Sequence, residues 1–258
     1  MSRHSKKYIL KKNLRRYNVI LISILLRLFG YRTKGLYFNR TLVLAPHPDD
    51  EVLGLGGIMM NLLTRGGEVS ILYLTDGEGS GVWSNIEDIR RQRIQLSEKS
   101  AARLTINDSN IYRRHLPDGN IPHPGKPGFE EAVSDVKDLI NSLKPDTVFA
   151  THPLDYWPFD HVACAEIASE AIKLSDHKPQ LWYYWVWAWY NLRPWKLSVK
   201  RLKKLQKIDI NDQSSRKKEL MDIYLKPRTP DGKPWSGILP KALLKAFNYP
   251  FEIVERVR

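Results

Sequence analysis

A single cysteine, Cys164, stands among the 258 residues. No internal disulfide framework can form from it and no cysteine-based zinc cluster can be built, so the chain fits a reducing, cytoplasmic compartment. An uninterrupted apolar run of about 20 residues, the length a spanning helix needs, is also missing. The nearest candidate, Val19-Ile20-Leu21-Ile22-Ser23-Ile24-Leu25-Leu26, is short and is closed by Arg27. It follows a basic start, as a signal peptide would, but no small-residue cleavage site comes after it. Internal repeats and low-complexity tracts are absent, and a hydrophobic content of 42 % excludes global disorder. The length accommodates one large α/β domain, or one domain with small appendages.

Acidic residues are in deficit, with 41 Lys and Arg against 28 Asp and Glu, a net charge of +13. Part of the excess crowds the start of the chain, at Arg3, Lys6, Lys7, Lys11, Lys12, Arg15 and Arg16. A second group comprises Lys196, Lys200, Arg201, Lys203, Lys204, Lys207, Arg216, Lys217 and Lys218. Such groups attract phosphate-rich partners (nucleic acid, anionic lipid, phosphorylated sugar carriers), or else they are solvated helix faces. No nucleic-acid-binding motif accompanies them, so no specific nucleic acid is expected. Residues 1–36 read as a basic amphipathic segment, lying on an anionic membrane surface or packed on the domain's own core. Residues 37–258 read as the domain itself. The expected location is cytoplasmic, free or peripheral on the inner face of the membrane.

Along the chain, apolar runs at 41–45, 69–74 and 147–150, with a short one near 110–112, read as buried strands. Helical patterns occupy 52–64, 86–104, 129–143 and 161–172. Strands alternating with helices predict an α/β fold with a mostly parallel sheet covered by helices on both faces. The aromatic run Leu181-Trp182-Tyr183-Tyr184-Trp185-Val186-Trp187-Ala188-Trp189-Tyr190 has strand propensity and reads as a pair of core or edge strands. An aromatic wall for a sugar ring, or a membrane-facing patch, is the alternative.

Chemistry concentrates where two of these strands end. The first runs into Pro46-His47-Pro48-Asp49-Asp50-Glu51, the other into His152, Asp160 and His161. Open α/β sheets bind ligands beyond the carboxyl ends of their strands. A zinc hydrolase needs three protein ligands and one open position. His47 and Asp50 can supply two from a single turn, and His161 a third from the second corner. Taken singly, each histidine also reads as a structural residue, and Asp49-Asp50 as helix N-terminal acids.

The runs Ala45-Pro46-His47-Pro48-Asp49-Asp50-Glu51 and Phe159-Asp160-His161-Val162-Ala163 together resemble the PIG-L/LmbE family of zinc-dependent N-deacetylases, with a similarity extending from about residue 40 to about 225. The resemblance implies a Rossmann-like α/β fold and removal of acetyl from an N-acetylated amino sugar; the basic N-terminus and the aromatic run favour one that is lipid-linked or phosphorylated. His47, Asp50 and His161 would hold Zn²⁺, with Fe²⁺ suiting the same ligands. Asp49 would be the general base and Asp160 an orienting acid. Many members carry a histidine where this chain has Pro158; His152 fills that role only if its loop folds back. Arg93, Asp118 and Asp76 match weaker, substrate-contacting positions, and Leu96 stands where a glutamate is usual. Two other readings are an amidase for another N-acyl sugar conjugate, and a basic membrane- or nucleic-acid-associated binding protein with a vestigial site.

Overall fold

The computed structural model describes residues 15, 17–28, 30–33 and 35–257. The apolar runs become strands buried almost end to end, with β2 (Arg40–Ala45) and β3 (Glu68–Thr75) exposed only at their first residues. Eight strands form one sheet. Its spatial order is β1 (Tyr31–Thr33), β7 (Leu205–Asp209), β8 (Phe251–Arg256), β6 (Gln180–Tyr184), β5 (Thr147–Thr151), β2, β3 and β4 (Ile111–Leu116). β8 runs antiparallel to both its neighbours and all other pairings are parallel.

Strand side chains alternate between two cores, as a period of two requires. Val43, Ala45, Ile71, Tyr73 and Phe149 face the core shared with α2 (Asp50–Thr64), α3 (Ile86–Arg103) and α8 (Ser214–Leu225). Leu42, Leu44, Leu72, Leu74, Val148 and Ala150 face the core shared with α4 (Phe129–Leu143) and α5 (Phe159–Leu174). The chain winds outward from β2 to β4 and then returns to β5 on the other side of β2. That reversal opens a crevice beyond the carboxyl ends of β2 and β5, the place where such sheets receive ligands. α2 and α5 start from these two strand ends.

α2 lies unusually close to its surroundings. A Cβ at Gly54 would stand 2.3 Å from Tyr184 Cδ2, and one at Gly57 2.6 Å from the side chain of Ile210. One turn below the Asp-rich corner, Lys217 Nζ sits 2.7 Å from Glu252 Oε1 and 3.0 Å from Leu53 O. Glu252 in turn accepts the backbone N–H groups of Gly57 and Ile58, each at 2.8 Å. A buried ion pair thus bonds into the backbone of α2 and fixes the helix that carries the motif.

One of the two readings of the first segment fits its described part, and two other expectations change. The segment before residue 37 is, over its described part, built into the domain: helix α1 (residues 17–28) buries Val19, Ile22 and Leu26, and β1 pairs with β7. Arg3, Lys6, Lys7, Lys11, Lys12 and Arg16 lie outside the described residues. No described helix is long and apolar enough to cross a membrane. The aromatic run yields one strand, β6, not two. After it the backbone N–H groups of Val186 and Trp187 bond to Asp155 Oδ2 at 3.1 and 3.0 Å, which takes the chain off the sheet and into α6 (Ala188–Asn191). The later basic group is not one solvated face either, because Lys207 and Lys217 are buried. Two further short helices, α7 (Val199–Leu202) and α9 (Lys241–Phe247), fill out the connections between β6 and β8.

Candidate metal and acid–base site

His47, Asp50 and His161 converge in the crevice, with one ligand atom from each lying within 4.8 Å of the others. Asp50 Oδ2 stands 3.1 Å from His47 Nδ1 and 3.2 Å from His161 Nε2, and it also accepts the His47 N–H at 3.1 Å. The other ring nitrogen of His161, Nδ1, lies 3.0 Å from Asp155 Oδ2. A carboxylate only accepts, so this contact places a proton on Nδ1 and leaves Nε2 a lone pair. Although only 3.2 Å separates them, Nε2 makes no hydrogen bond with Asp50 or with any other group.

A buried lone pair facing a carboxylate oxygen demands a cation between them. Burial alone would push His161 down, but the Asp50 and Asp155 carboxylates raise it to about 9. Burial would lift Asp50, yet the charge of His161, together with the bond to His47 and its charge, holds it well below the usual carboxylate range. A proton meets this demand, and so does a divalent metal. The donor set of two imidazoles and one carboxylate suits Zn²⁺ or Fe²⁺. Cys164, one turn along α5, is not a candidate ligand: burial pushes its thiol up to about 12.

His47 is held from its far side. Its Nε2 lies 3.0 Å from Asp160 Oδ2 and 3.1 Å from Asp118 Oδ1. Against the downward push of burial, its bonds to Asp118, Asp160 and Asp50 hold it well above its ordinary value. Asp160 is itself fixed by the N–H groups of Gly119 and Ile121, at 2.6 and 3.1 Å. Asp118 accepts the Gly79 N–H at 2.7 Å; against the upward push of burial, its bond to His47, the charges of His47 and Arg93 and the Gly79 N–H together lower its pKa.

Asp49 stands beside this cluster in a backbone conformation that L residues rarely adopt, with φ of 125°. Such strain persists only where neighbours over-determine it. Here the Asp49 N–H donates to Glu51 Oε2 at 2.9 Å, and its carbonyl accepts the first helical N–H groups of α2, from Val52 and Leu53. Glu51, fully buried, also accepts the Tyr224 hydroxyl. It supports the turn and takes no place among the metal-ligating atoms. Burial pushes the Asp49 carboxyl up to about 8, against the pull of Arg93. Arg93 is buried behind Asp49 at 3.5 Å and donates to Pro48 O.

Two expected residues are placed elsewhere. Both ring nitrogens of His152 are engaged away from the cluster: Nε2 with Glu255 at 2.9 Å, and Nδ1 as acceptor of the Leu154 N–H at 2.9 Å. The loop does not fold back, and His152 does not take the position left by Pro158. Asp76 pairs with His115 at 2.7 Å and Arg90 at 3.5 Å, and makes no contact with the His47–Asp50–His161 group. Sequence reasoning missed Asp155. Its only signal was an acid in the loop between β5 and α5, where any turn may carry one.

Comparison with known proteins agrees with this geometry. Residues 42–172, just over half of the chain, match the family model PIG-L, described as GlcNAc-PI de-N-acetylase. The diacetylchitobiose deacetylase of Thermococcus kodakarensis is 24 % identical over 143 residues, covering 53 % of this chain and 50 % of that protein. The chain spans half the length or less of such curated relatives. Among solved structures, the N,N'-diacetylchitobiose deacetylase of Pyrococcus horikoshii superposes with a TM-score of 0.58 at 21 % identity, over 75 % of this chain and 72 % of that one. The 4-carboxy-2-hydroxymuconate hydratase GalB of Pseudomonas putida KT2440 does so with 0.60 at 13 %, over 84 % and 95 %. These likenesses establish a shared fold, and GalB shows that the fold serves more than one reaction. With the family match spanning both corners of the site, from β2 through His47, Asp49 and Asp50 to His161 on α5, this chain belongs to the PIG-L family.

Proposed function

We infer that this protein is a metal-dependent hydrolase that removes the acetyl group from an N-acetylated amino sugar of the GlcNAc type. The observation that carries the reading is the unpartnered, fully buried Nε2 of His161 facing Asp50 beside His47. His47 Nδ1, Asp50 Oδ2 and His161 Nε2 would hold Zn²⁺, with Fe²⁺ the alternative for the same donors. A divalent ion held there would supply Lewis-acid polarisation of the acyl carbonyl and ease the ionisation of water.

The chain's own groups do the rest. Asp49, placed beside the ligands by its constrained turn, takes the proton from the attacking water and returns it to the departing amine nitrogen. A carboxyl pushed up to about 8 is well matched to a two-way transfer near neutral pH. Arg93 restrains Asp49, and Asp155 keeps the Nε2 lone pair of His161 directed into the site. Asp118 and Asp160 fix the ring of His47. His152, engaged with Glu255, does not replace the family histidine at Pro158. The net charge of +13 favours a sugar conjugate bearing phosphate, as carriers in cell-envelope glycan assembly do.

Acetate release from N-acetylglucosamine conjugates (free, nucleotide-linked and lipid-linked) tests this reading. Chelation should abolish release and added Zn²⁺ restore it. Activity indifferent to both treatments would refute the metal, and no acetate from any conjugate would refute the substrate class.

A further inference from the structure

Helix α1 is apolar on two sides. One side, with Val19, Ile22 and Leu26, is buried in the core. On the other, Tyr17, Ile20, Leu21, Ile24 and Leu28 are between 46 and 69 % exposed. Their spacing of three and four residues makes them one continuous stripe along the helix. A helix apolar all round is normally covered all round, and contiguous apolar surface of this kind marks an interaction site.

The charge around the stripe indicates what covers it. No Asp or Glu occurs in the sequence before Asp49. Exposed Arg15 precedes the stripe, and Arg27 lies within it. Just past its end, Arg27 and Arg32 crowd Lys207, whose pKa is lowered first by burial and then by these two neighbours. Of the three, only Arg32 has a carboxylate partner among the described residues, Asp209. At the other end, the Arg15 guanidinium stands 5.5 Å over the Tyr190 ring. In the turn that follows α6, Trp195 is 72 % exposed, with Arg193 5.6 Å from its ring. An apolar stripe flanked by the exposed Arg15 and Arg27, which have no carboxylate partner among the described residues, matches the boundary between acyl chains and anionic phosphates. A protein partner would need to bring acidic groups to both ends of a groove-free helix.

We propose that α1 docks this protein on an anionic lipid surface. The outer stripe enters the boundary between acyl chains and headgroups, and the exposed Arg15 and Arg27 engage lipid phosphates. Docking brings the catalytic crevice to the lipid. Tyr190 belongs to α6, whose Asn191 bonds the loop leading into Asp160 and His161, through Tyr156 Oη and Trp157 O.

Co-sedimentation of the full chain with phosphatidylcholine vesicles, with and without phosphatidylglycerol, tests this directly. Binding should require phosphatidylglycerol and weaken with salt. The double variant Leu21→Glu/Leu28→Glu should bind at least roughly tenfold more weakly. Arg27→Gln should lose about fivefold, the worth of one cation near a charged surface. Circular dichroism identical to that of the parent checks the fold of each. As a variant that adds no charge to the stripe, Leu28→Cys can carry an environment-sensitive fluorophore, since the native Cys164 is buried and protected from labelling. Its emission should shift to the blue only with phosphatidylglycerol vesicles. The proposal falls if neither vesicle binds, if the double variant binds like the parent, or if the fluorophore does not respond. It falls equally if light scattering finds a lipid-free dimer that the double variant dissociates, for then the stripe belongs to a second copy.

Discussion

Replacing Asp155 by asparagine probes the least obvious support of the site. Asp155 Oδ2 receives three donors: His161 Nδ1 at 3.0 Å, Val186 N at 3.1 Å and Trp187 N at 3.0 Å. Its other oxygen, Oδ1, is buried without a hydrogen-bond partner. An asparagine can therefore put its carbonyl where Oδ2 was and its amide where Oδ1 was, keeping all three bonds. What it removes is the negative charge beside the imidazole. His161 then becomes a poorer electron donor at Nε2, and Zn²⁺ affinity should drop by about 10–100-fold, the usual effect of losing such a support. Near-native stability is expected. Asp155→Leu is the contrast. It strips an acceptor from three buried N–H groups at about 1–3 kcal/mol each, so the protein should be strongly destabilised as well. Competition with a chromophoric chelator measures affinity, and urea unfolding measures stability. Wild-type Zn²⁺ affinity in Asp155→Asn, with the fold intact, would refute the argument that Asp155 acts through His161.

Other outcomes follow from the same contacts. Asp49→Asn should retain one metal equivalent while acetate release falls at least about 10²-fold; undiminished turnover would remove Asp49 from proton transfer. Because His161 is raised to about 9 by its carboxylates, a proton competes with the metal for Nε2 at every lower pH. Zn²⁺ affinity should therefore rise between pH 6 and 8, by roughly tenfold per unit for one displaced proton, and titration calorimetry in buffers of different ionisation heat should show proton release. Lys217→Met leaves Glu252 as an unpaired buried charge and should cost about 3–5 kcal/mol in denaturant unfolding, with the Glu252→Gln double variant recovering part of it.

The motif-bearing strands and helices were legible because they repeat a simple pattern. An apolar run four to six residues long ends in polar residues, proline or glycine and is followed by a helical stripe, and this read β2, β3, β5, α2, α4 and the mostly parallel sheet. Chemistry at the carboxyl ends of two strands pointed to His47, Asp50 and His161, which the fold brings together. What could not be read depends on contacts remote in sequence. The chain leaves β6 at Val186 because Asp155, from another loop, accepts two of its backbone donors; strand propensity in the aromatic run carries no trace of that. His152 looked like a stand-in for the family histidine missing at Pro158, but Glu255, remote in sequence, engages it. Lys217 looked like one more cation in a basic group until Glu252 and the backbone of α2 enclosed it.

The position of β8 sets an order of assembly. It lies between β6 and β7, and β1 joins the sheet only through β7. The parallel block β2 to β6 can close from local βαβ units as the chain emerges from the ribosome. The edge formed by β1 and β7 must wait for residues 251–256, and until then α1 has no completed surface to pack on. α1 is thus seated later than its place in the chain suggests. A nascent chain holds this apolar, cationic helix unpacked until β8 has emerged, and β8 decides when it settles.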